Sequence, residues 1–436
     1  MQTSLETIGQ LERRLNVAVP LADIESEVGK RLARLAKTVK LHGFRPGKVP
    51  LRMVAKQYGP QVRSDVISDA VQASFTDAVR AQNLRVAGYP RIEPKAGAAA
   101  ADQLEFSAVF EVYPEIRIGD LSDVTIERPV AEVTPADVED TIAVLRKQRT
   151  SYDPAAHPAA AGDRVVVDFS GRIDGVEFPG GQARDFAIQI GEGRMLPEFE
   201  QAVTGMQAGE TKTFELTFPA DYHGKEVAGK PAQFTLTVKS VAAPQQPELD
   251  AAFAKAFGIA SGSLDELRAE IEANLKLELK RKIESKLKEQ ALAALRRKAE
   301  FTLPKSLVEI EAQNMAHRMA EDLAKQGMKA EDIKLTPDMF RASAEDRVAL
   351  GLALGEVVNA HGLQAKPEQV KGLVQEAAQT YEQPDAVVRW HYEKRERLNE
   401  FEALAVERNV VDWVLARAKV ADKPATFAEL MGPARG

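Results

Sequence analysis

The 436-residue chain contains no cysteine, which excludes a disulfide framework, a thiol nucleophile and a thiolate metal site. Histidine is scarce. The six present (positions 42, 157, 223, 317, 361 and 391) show no ligand spacing such as HExxH, so neither a zinc centre nor any other cofactor is expected. No run approaches the ~20 apolar residues needed to cross a bilayer. The N-terminal MQTSLETIGQLERR also lacks the apolar core of a signal peptide, and a cytoplasmic chain that stays off membranes is expected. Carboxylates are abundant, 65 Asp and Glu, but no pattern sets two across a cleft, which leaves glycosidase and protease chemistry without support. The remainder is of ordinary globular composition, 44% hydrophobic and 28% charged. Its length exceeds what one core sustains, so two or three domains are expected.

The net charge of −7 is unevenly spread: residues 1–115 carry 16 Lys and Arg against 13 Asp and Glu. Between Lys30 and Ser64 stand Lys30, Arg31, Arg34, Lys37, Lys40, Arg45, Lys48, Arg52, Lys56 and Arg63, with no acidic residue. That local field attracts a polyanion although the whole chain is acidic. No DNA-binding motif accompanies it. Within it lies LHGFRPGKVP (41–50), where Gly43, Pro46, Gly47 and Pro50 exclude helix and strand. Phe44 is therefore an aromatic placed beside Arg45 in a loop, where polar residues are the rule.

Periodicity divides the chain into four parts. Residues 1–113 read as an α+β domain. Leu21, Ile24, Val28, Leu32, Leu35 and Val39 recur at helical spacing after Pro20. A short helix towards Tyr58 and a second after Pro60 are expected next, and Leu104 to Val112 alternates as a strand does. The loop 41–50 is thus a tip between helices. Residues 114–150 read as a connector, with a strand at VTIERPV and a helix opened by Thr134-Pro135-Ala136-Asp137 and running to about Arg149. Residues 151–243 open with the Pro/Ala-rich SYDPAAHPAAAGD (151–163) and from Arg164 form short strands interrupted by one helical stretch at Pro197–Val203, a compact β-rich domain. After APQQPEL (243–249), residues 244–436 read as all-helical. They open with a capping box at Ser263–Glu266 and are divided at Pro304, Pro337, Pro367 and Pro384.

The third part carries the most specific pattern. GEGRMLPEFEQAVTGMQAGE (191–210), preceded by VDFSG (167–171) and GVEFPGG (175–181) and followed by FPADYHG (218–224) and FTLTV (234–238), resembles the FKBP-type peptidyl-prolyl isomerases. The resemblance implies a proline pocket lined by Phe169, Phe178, Phe186, Met195, Leu196, Phe199, Tyr222 and Leu236. It further implies that Tyr222 hydrogen-bonds the substrate and that the Leu196 N–H holds the carbonyl before proline. Such a site needs no acid, base or metal. Twisting an X–Pro bond costs ~18–20 kcal/mol because amide resonance is lost. The twisted state is less dipolar than the planar ones, so a dry aromatic pocket favours it over the ground state. Many members have an acidic residue after the Phe of the GVEF segment; here it is Pro179, which puts macrolide binding in question.

GFRPGKVP (43–50) is in turn similar to the ribosome-docking loop of the trigger factor family, and the resemblance extends from Met1 to about Leu430. It implies an α+β ribosome-binding domain, the β-rich α+β isomerase domain and an all-α chaperone domain. Docking would rest on Gly43, Phe44, Arg45, Gly47, Lys48 and Pro50. The partners implied are the large ribosomal subunit, through a tunnel-exit protein and ribosomal RNA, nascent and unfolded polypeptides, and a second copy off the ribosome. The function implied is an ATP-independent chaperone that also isomerises prolines. Met315, Met319, Met328 and Met339 are adaptable apolar groups suited to varied clients. A free cytoplasmic isomerase with a structural helical domain, or a ribosome-assembly factor, is the alternative. GKEVAGK (224–230) fits the start of a phosphate-binding loop, but Pro231 replaces the Ser or Thr that would bind Mg²⁺ and a strand pattern follows.

Overall fold

The structure, a computed structural model, describes residues 2–432 except 42–43, 45–47, 95–102, 223, 330–333, 380 and 382. Gly43, Arg45, Gly47 and His223 of the sequence analysis lie outside the described residues. The chain separates into two compact units: residues 1–128 with 286–421, and residues 129–285 with 422–436.

The first unit begins with a four-stranded antiparallel sheet. Strands β1 (Gln2–Thr7), β2 (Glu12–Pro20), β3 (Val86–Pro94) and β4 (Gln103–Val112) lie in the order β1-β2-β4-β3. Two helices, α1 (Leu21–Thr38) and α2 (Leu51–Ala81), pack together on it. Leu15, Val17 and Val19 from β2 and Phe106, Ala108 and Phe110 from β4 alternate onto one sheet face. There they meet Ile24, Val28 and Leu32 of α1 and Val54, Val66 and Ala78 of α2 in one core. α2 is a single 31-residue helix containing Pro60, where two helices were expected. Val54 and Val66 bury into the same core on either side of Pro60, and that packing outweighs the hydrogen bond the proline cannot donate.

The connector is built into both units. β5 (Arg117–Ile118) and β6 (Thr125–Val130) flank Leu121 and Val124, which together with Ile126 share a core with Ala291, Leu295, Val357, Val410 and Val414. α3 (Pro135–Gln148) belongs to the second unit and begins with the expected capping box: Thr134 Oγ1 accepts from the Asp137 N–H, and the Asp137 carboxylate accepts from the Thr134 N–H. Val138 and Ile142 bury against Phe253, Leu267, Ile271 and Leu275.

The rest of the second unit is dominated by a five-stranded antiparallel sheet. Its strands are β7 (Ser151–Pro154), β8 (Arg164–Ile173), β9 (Val176–Gln189), β10 (Thr211–Thr217) and β11 (Pro231–Gln245). β10-β11-β8-β9 are consecutive neighbours and β7 pairs with β11. α4 (Pro197–Val203) packs on this sheet at the predicted position. β7 and the end of β11 occupy stretches that read as linkers. Asp153 lies opposite Ala243 and Pro154 opposite Ala242, and an edge strand tolerates prolines that a central strand would not.

The helical remainder comprises α5 (Ala251–Ala256), α6 (Leu264–Lys298), α7 (Lys305–Lys325), α8 (Arg341–His361), α9 (Pro367–Ala378), α10 (Pro384–Tyr392), α11 (Asn399–Leu415) and α12 (Phe427–Met431). Pro304 is the N-cap of α7, and Pro367 and Pro384 are the first residues of α9 and α10, where a missing N–H costs nothing. The reading of this part as all-helical misses two short strands, β12 (Ala299–Glu300) and β13 (Lys419–Pro424). Ala299 pairs with Ile118 of β5, a partner so distant in sequence that no local pattern announces it.

Candidate functional site

The sheet β8–β11 wraps a cage of phenylalanines. Phe169, Phe178 and Phe234 enter from strands, where alternation sends every second residue inward, whereas Phe199 comes from α4 and Phe218 from the segment just after β10. Phe169 on β8 meets Phe199 of α4 edge-on at 5.3 Å between ring centres, Phe186 of β9 at 5.7 Å and Phe234 of β11 at 6.0 Å. Phe178 stands edge-on to Phe218 at 5.9 Å and to Phe234 at 6.1 Å. Such offset and edge-on pairs are the favourable arrangements for aromatic quadrupoles. Phe169, Phe178, Phe199, Phe218 and Phe234 together bound a cavity of about 570 Å³.

Of the eight pocket residues named from sequence, Phe169, Phe178, Met195, Leu196, Phe199 and Tyr222 line this cavity. Leu236 does not. It lies opposite Phe169 in the strand register and is fully buried in the domain core. Phe186 is 39% exposed and extends the aromatic surface outward from Phe169 without forming the cavity wall. Phe234, Phe218, Leu216 and Val227 were missed and line it. Leu216 and Phe234 are apolar residues on strands and Phe218 and Val227 apolar residues between them, a signal shared by every core residue of the domain. Pro179 and Gly180 form part of the rim, as do Arg194, Lys225 and Glu226.

The entry to α4 supplies the one polar feature of chemical interest. Leu196 is the N-cap, and its carbonyl accepts from the N–H groups of Phe199 and Glu200 at 2.9 and 3.1 Å. Its own N–H donates to no acceptor among the described residues, which leaves it available to a substrate carbonyl. The approach to this N–H is pinned by Glu200, whose Oε2 accepts from the Gly191 N–H at 3.1 Å. Across the cavity the Tyr222 ring leans on Phe218 at 4.9 Å. The cavity therefore offers aromatic walls, the Leu196 N–H and the phenol of Tyr222. Among the described residues, no group of three or more His, Cys, Asp or Glu side chains is placed to hold a metal ion. Residues 224–230 form a turn that runs into β11, not into a helix.

Beside the cage, on the alternate positions of the same strands, Lys239 bridges Asp185 at 2.5 Å and Asp168 at 3.2 Å. Asp168 also accepts from the Asp185 N–H at 2.7 Å. That backbone hydrogen bond, with help from Lys239, holds the Asp168 carboxyl below its ordinary value of 3.8, and the two carboxylates, Asp185 foremost, raise the Lys239 ammonium.

The loop between α1 and α2 is a second candidate site. Leu41 packs against the tail core on one side and Val49 is buried in it on the other. Between these anchors Phe44 is 39% exposed and belongs to no core cluster, its N–H donating to the Leu41 carbonyl at 3.0 Å. Lys48 and Pro50 are exposed beside it. The basic stretch divides in two. Far from the loop, Lys30 and Arg31 pair with Glu27, Arg31 also with Asp69, and Arg63 with Glu25. Nearer the loop, Arg34, Lys37, Lys40, Lys48, Arg52 and Lys56 are exposed and make no ion pair among the described residues. The positive field is thus concentrated around Phe44.

The sheet wrapped on a short helix and the aromatic cavity at its entry define a prolyl-isomerase domain of FKBP type carried on a larger chain. The family model described as "FKBP-type peptidyl-prolyl cis-trans isomerase" matches residues 156–239. Those described as "Bacterial trigger factor protein (TF)" and its C-terminus match residues 1–145 and 263–416. The trigger factor of Nitrosospira multiformis is 52% identical over 433 residues, 99% of this chain and 100% of its own. That of Aromatoleum aromaticum is 53% identical over 434 residues and covers both chains completely. The chain belongs to the trigger factor family, and its layout of N-terminal, FKBP-type and C-terminal domains is that of the family. It is accordingly a chaperone of that family with a peptidyl-prolyl cis-trans isomerase domain.

Proposed function

We propose that this chaperone docks on the large ribosomal subunit beside the tunnel exit, holds emerging chains on its helical part and isomerises their X–Pro bonds in the aromatic cavity. The observation that carries the docking is Phe44, held outside its own core between half-buried Leu41 and buried Val49 and near cations that make no ion pair among the described residues. Lys48, with Arg45 and the helix-borne cations, supplies salt-dependent attraction to RNA phosphates. Phe44 enters an apolar crevice of a ribosomal protein and turns diffuse attraction into a located contact. Gly43, Gly47 and Pro50 complete the proposed docking motif. The domain division we favour is 1–113, 114–150, 151–243 and 244–436, and the compartment is the cytoplasm; among the described residues no helix is long and apolar enough to cross a membrane.

In the cavity, Phe169, Phe178, Phe199, Phe218 and Phe234 exclude water, which stabilises the less dipolar twisted amide over the planar one. The Leu196 N–H holds the carbonyl before proline and Tyr222 hydrogen-bonds the flanking backbone. Client holding needs no nucleotide, because many weak apolar contacts release by themselves. Exposed Met319, Met328 and Met339 fit that role, whereas Met315 packs against the core around Val308. The test of docking is co-sedimentation with ribosomes: replacing Phe44, Arg45 and Lys48 by Ala abolishes it and leaves the circular dichroism spectrum unchanged. Undiminished co-sedimentation defeats the docking role.

A further inference from the structure

Two glycines beneath the cavity are not explained by their backbone. Gly175, Gly180, Gly191 and Gly193 of the same domain take positive φ, where a side chain is strained. Gly171 on β8 and Gly181 on β9 do not; both are buried in strands, where glycine ordinarily weakens pairing. Each instead lies under a ring of the cage. A Cβ added at Gly181 would stand 2.8 Å from Cζ and 2.9 Å from Cε2 of Phe178, and one at Gly171 would stand 2.6 Å from Cε1 and Cζ of Phe234. Carbon atoms in contact prefer about 3.5–4.0 Å. The two rings therefore lie directly on bare backbone.

We infer that Gly181 is a positioning residue of the isomerase cavity: by lacking a side chain it lets Phe178 lie back against β9, which keeps open the space a substrate proline occupies. The inference rests on reading this cavity as the proline site. A methyl group at position 181 drives the Phe178 ring off the strand by roughly 0.7 Å or more to regain ordinary contact. The ring stands edge-on to Phe218 and Phe234 and forms part of the cavity wall. Its outward shift narrows the pocket. Gly171 does the same for Phe234, but that ring is 5% exposed and meets five others, so a shift there disrupts the whole core. Phe178 is half-buried and meets only Phe218 and Phe234 among the rings of the described residues, which makes position 181 the one to probe.

The experiment is a cycle on the full chain: wild type, Gly181→Ala, Phe178→Leu and the double variant, with kcat and KM for a short X–Pro peptide from NMR exchange. Peptide Kd from chemical-shift titration closes the same cycle where turnover is too slow to read. Gly181→Ala lowers kcat/KM tenfold or more, chiefly through KM, while adding it to Phe178→Leu changes kcat/KM or Kd less than twofold, because the shorter side chain leaves room for the methyl. An equal loss in both backgrounds overturns the inference, as does a Gly181→Ala variant indistinguishable from wild type. Failure of both alanine variants to fold also overturns it, since glycine is then required by the backbone. A wild-type chain that neither binds nor isomerises the peptide overturns the reading of the cavity itself.

Discussion

At the scale of single residues, the isomerase domain separates its apolar and ionic work by strand alternation. Phe169 faces the cavity while its neighbour Asp168 joins Asp185 and Lys239 on the other side of the strand. Because Asp168 titrates below its ordinary value of 3.8 when folded, it contributes stability that is fully present above about pH 4. That contribution is lost as pH falls through the depressed value. Replacing Asp168 by Asn therefore flattens the acid limb of the domain's stability profile below about pH 4, measured by urea unfolding at stepped pH. An unaltered limb contradicts the assignment. At this scale the sequence was legible where residue types are specific: the GRMLPEF segment located Met195, Leu196 and Phe199. It was not legible for Phe234 and Leu236. Two residues apart on one strand, they share a face and the same apolar signal, yet one is a cavity wall and the other core.

At the scale of elements, local chemistry and tertiary packing compete, and α2 shows packing winning. Its Pro60 lacks an N–H and leaves one helical hydrogen bond unmade, a cost of about 3 kcal/mol in a helix interior. Part of that is offset because proline also restricts the unfolded chain. Pro60→Ala should thus stabilise the N-terminal tail by about 1 to 2 kcal/mol, seen as a higher urea midpoint with unchanged slope. A lower midpoint would show that the proline bend is itself required for Val54 and Val66 to reach one core. The capping box at Thr134 and the prolines at the starts of α7, α9 and α10 were legible because they act on their own neighbours. The continuity of α2 and the strands β7, β12 and β13 were not, because each is fixed by a partner far away in the chain.

At the scale of the whole molecule, two surfaces of opposite character serve two tasks. The cavity is concave and ringed with aromatics. The tip at Phe44 is open and basic, on a chain whose net charge is −7. An acidic body repels polyanions except where cations gather, so the docking we propose predicts that any attraction to RNA comes chiefly from Arg34, Lys37, Lys40, Lys48, Arg52 and Lys56, which make no ion pair among the described residues. The exposure of Phe44 was legible from the glycines and prolines around it; Glu27 pairs with Lys30 and Arg31 within α1, but the pairing of Arg31 with Asp69 and of Arg63 with Glu25 required the packing of the two helices. The most direct measurement is photo-crosslinking from an analogue placed at position 44 of the intact chain in a translating extract. Adducts with a large-subunit protein at the tunnel exit are predicted. Adducts confined to the chain's own tail domain would contradict the account.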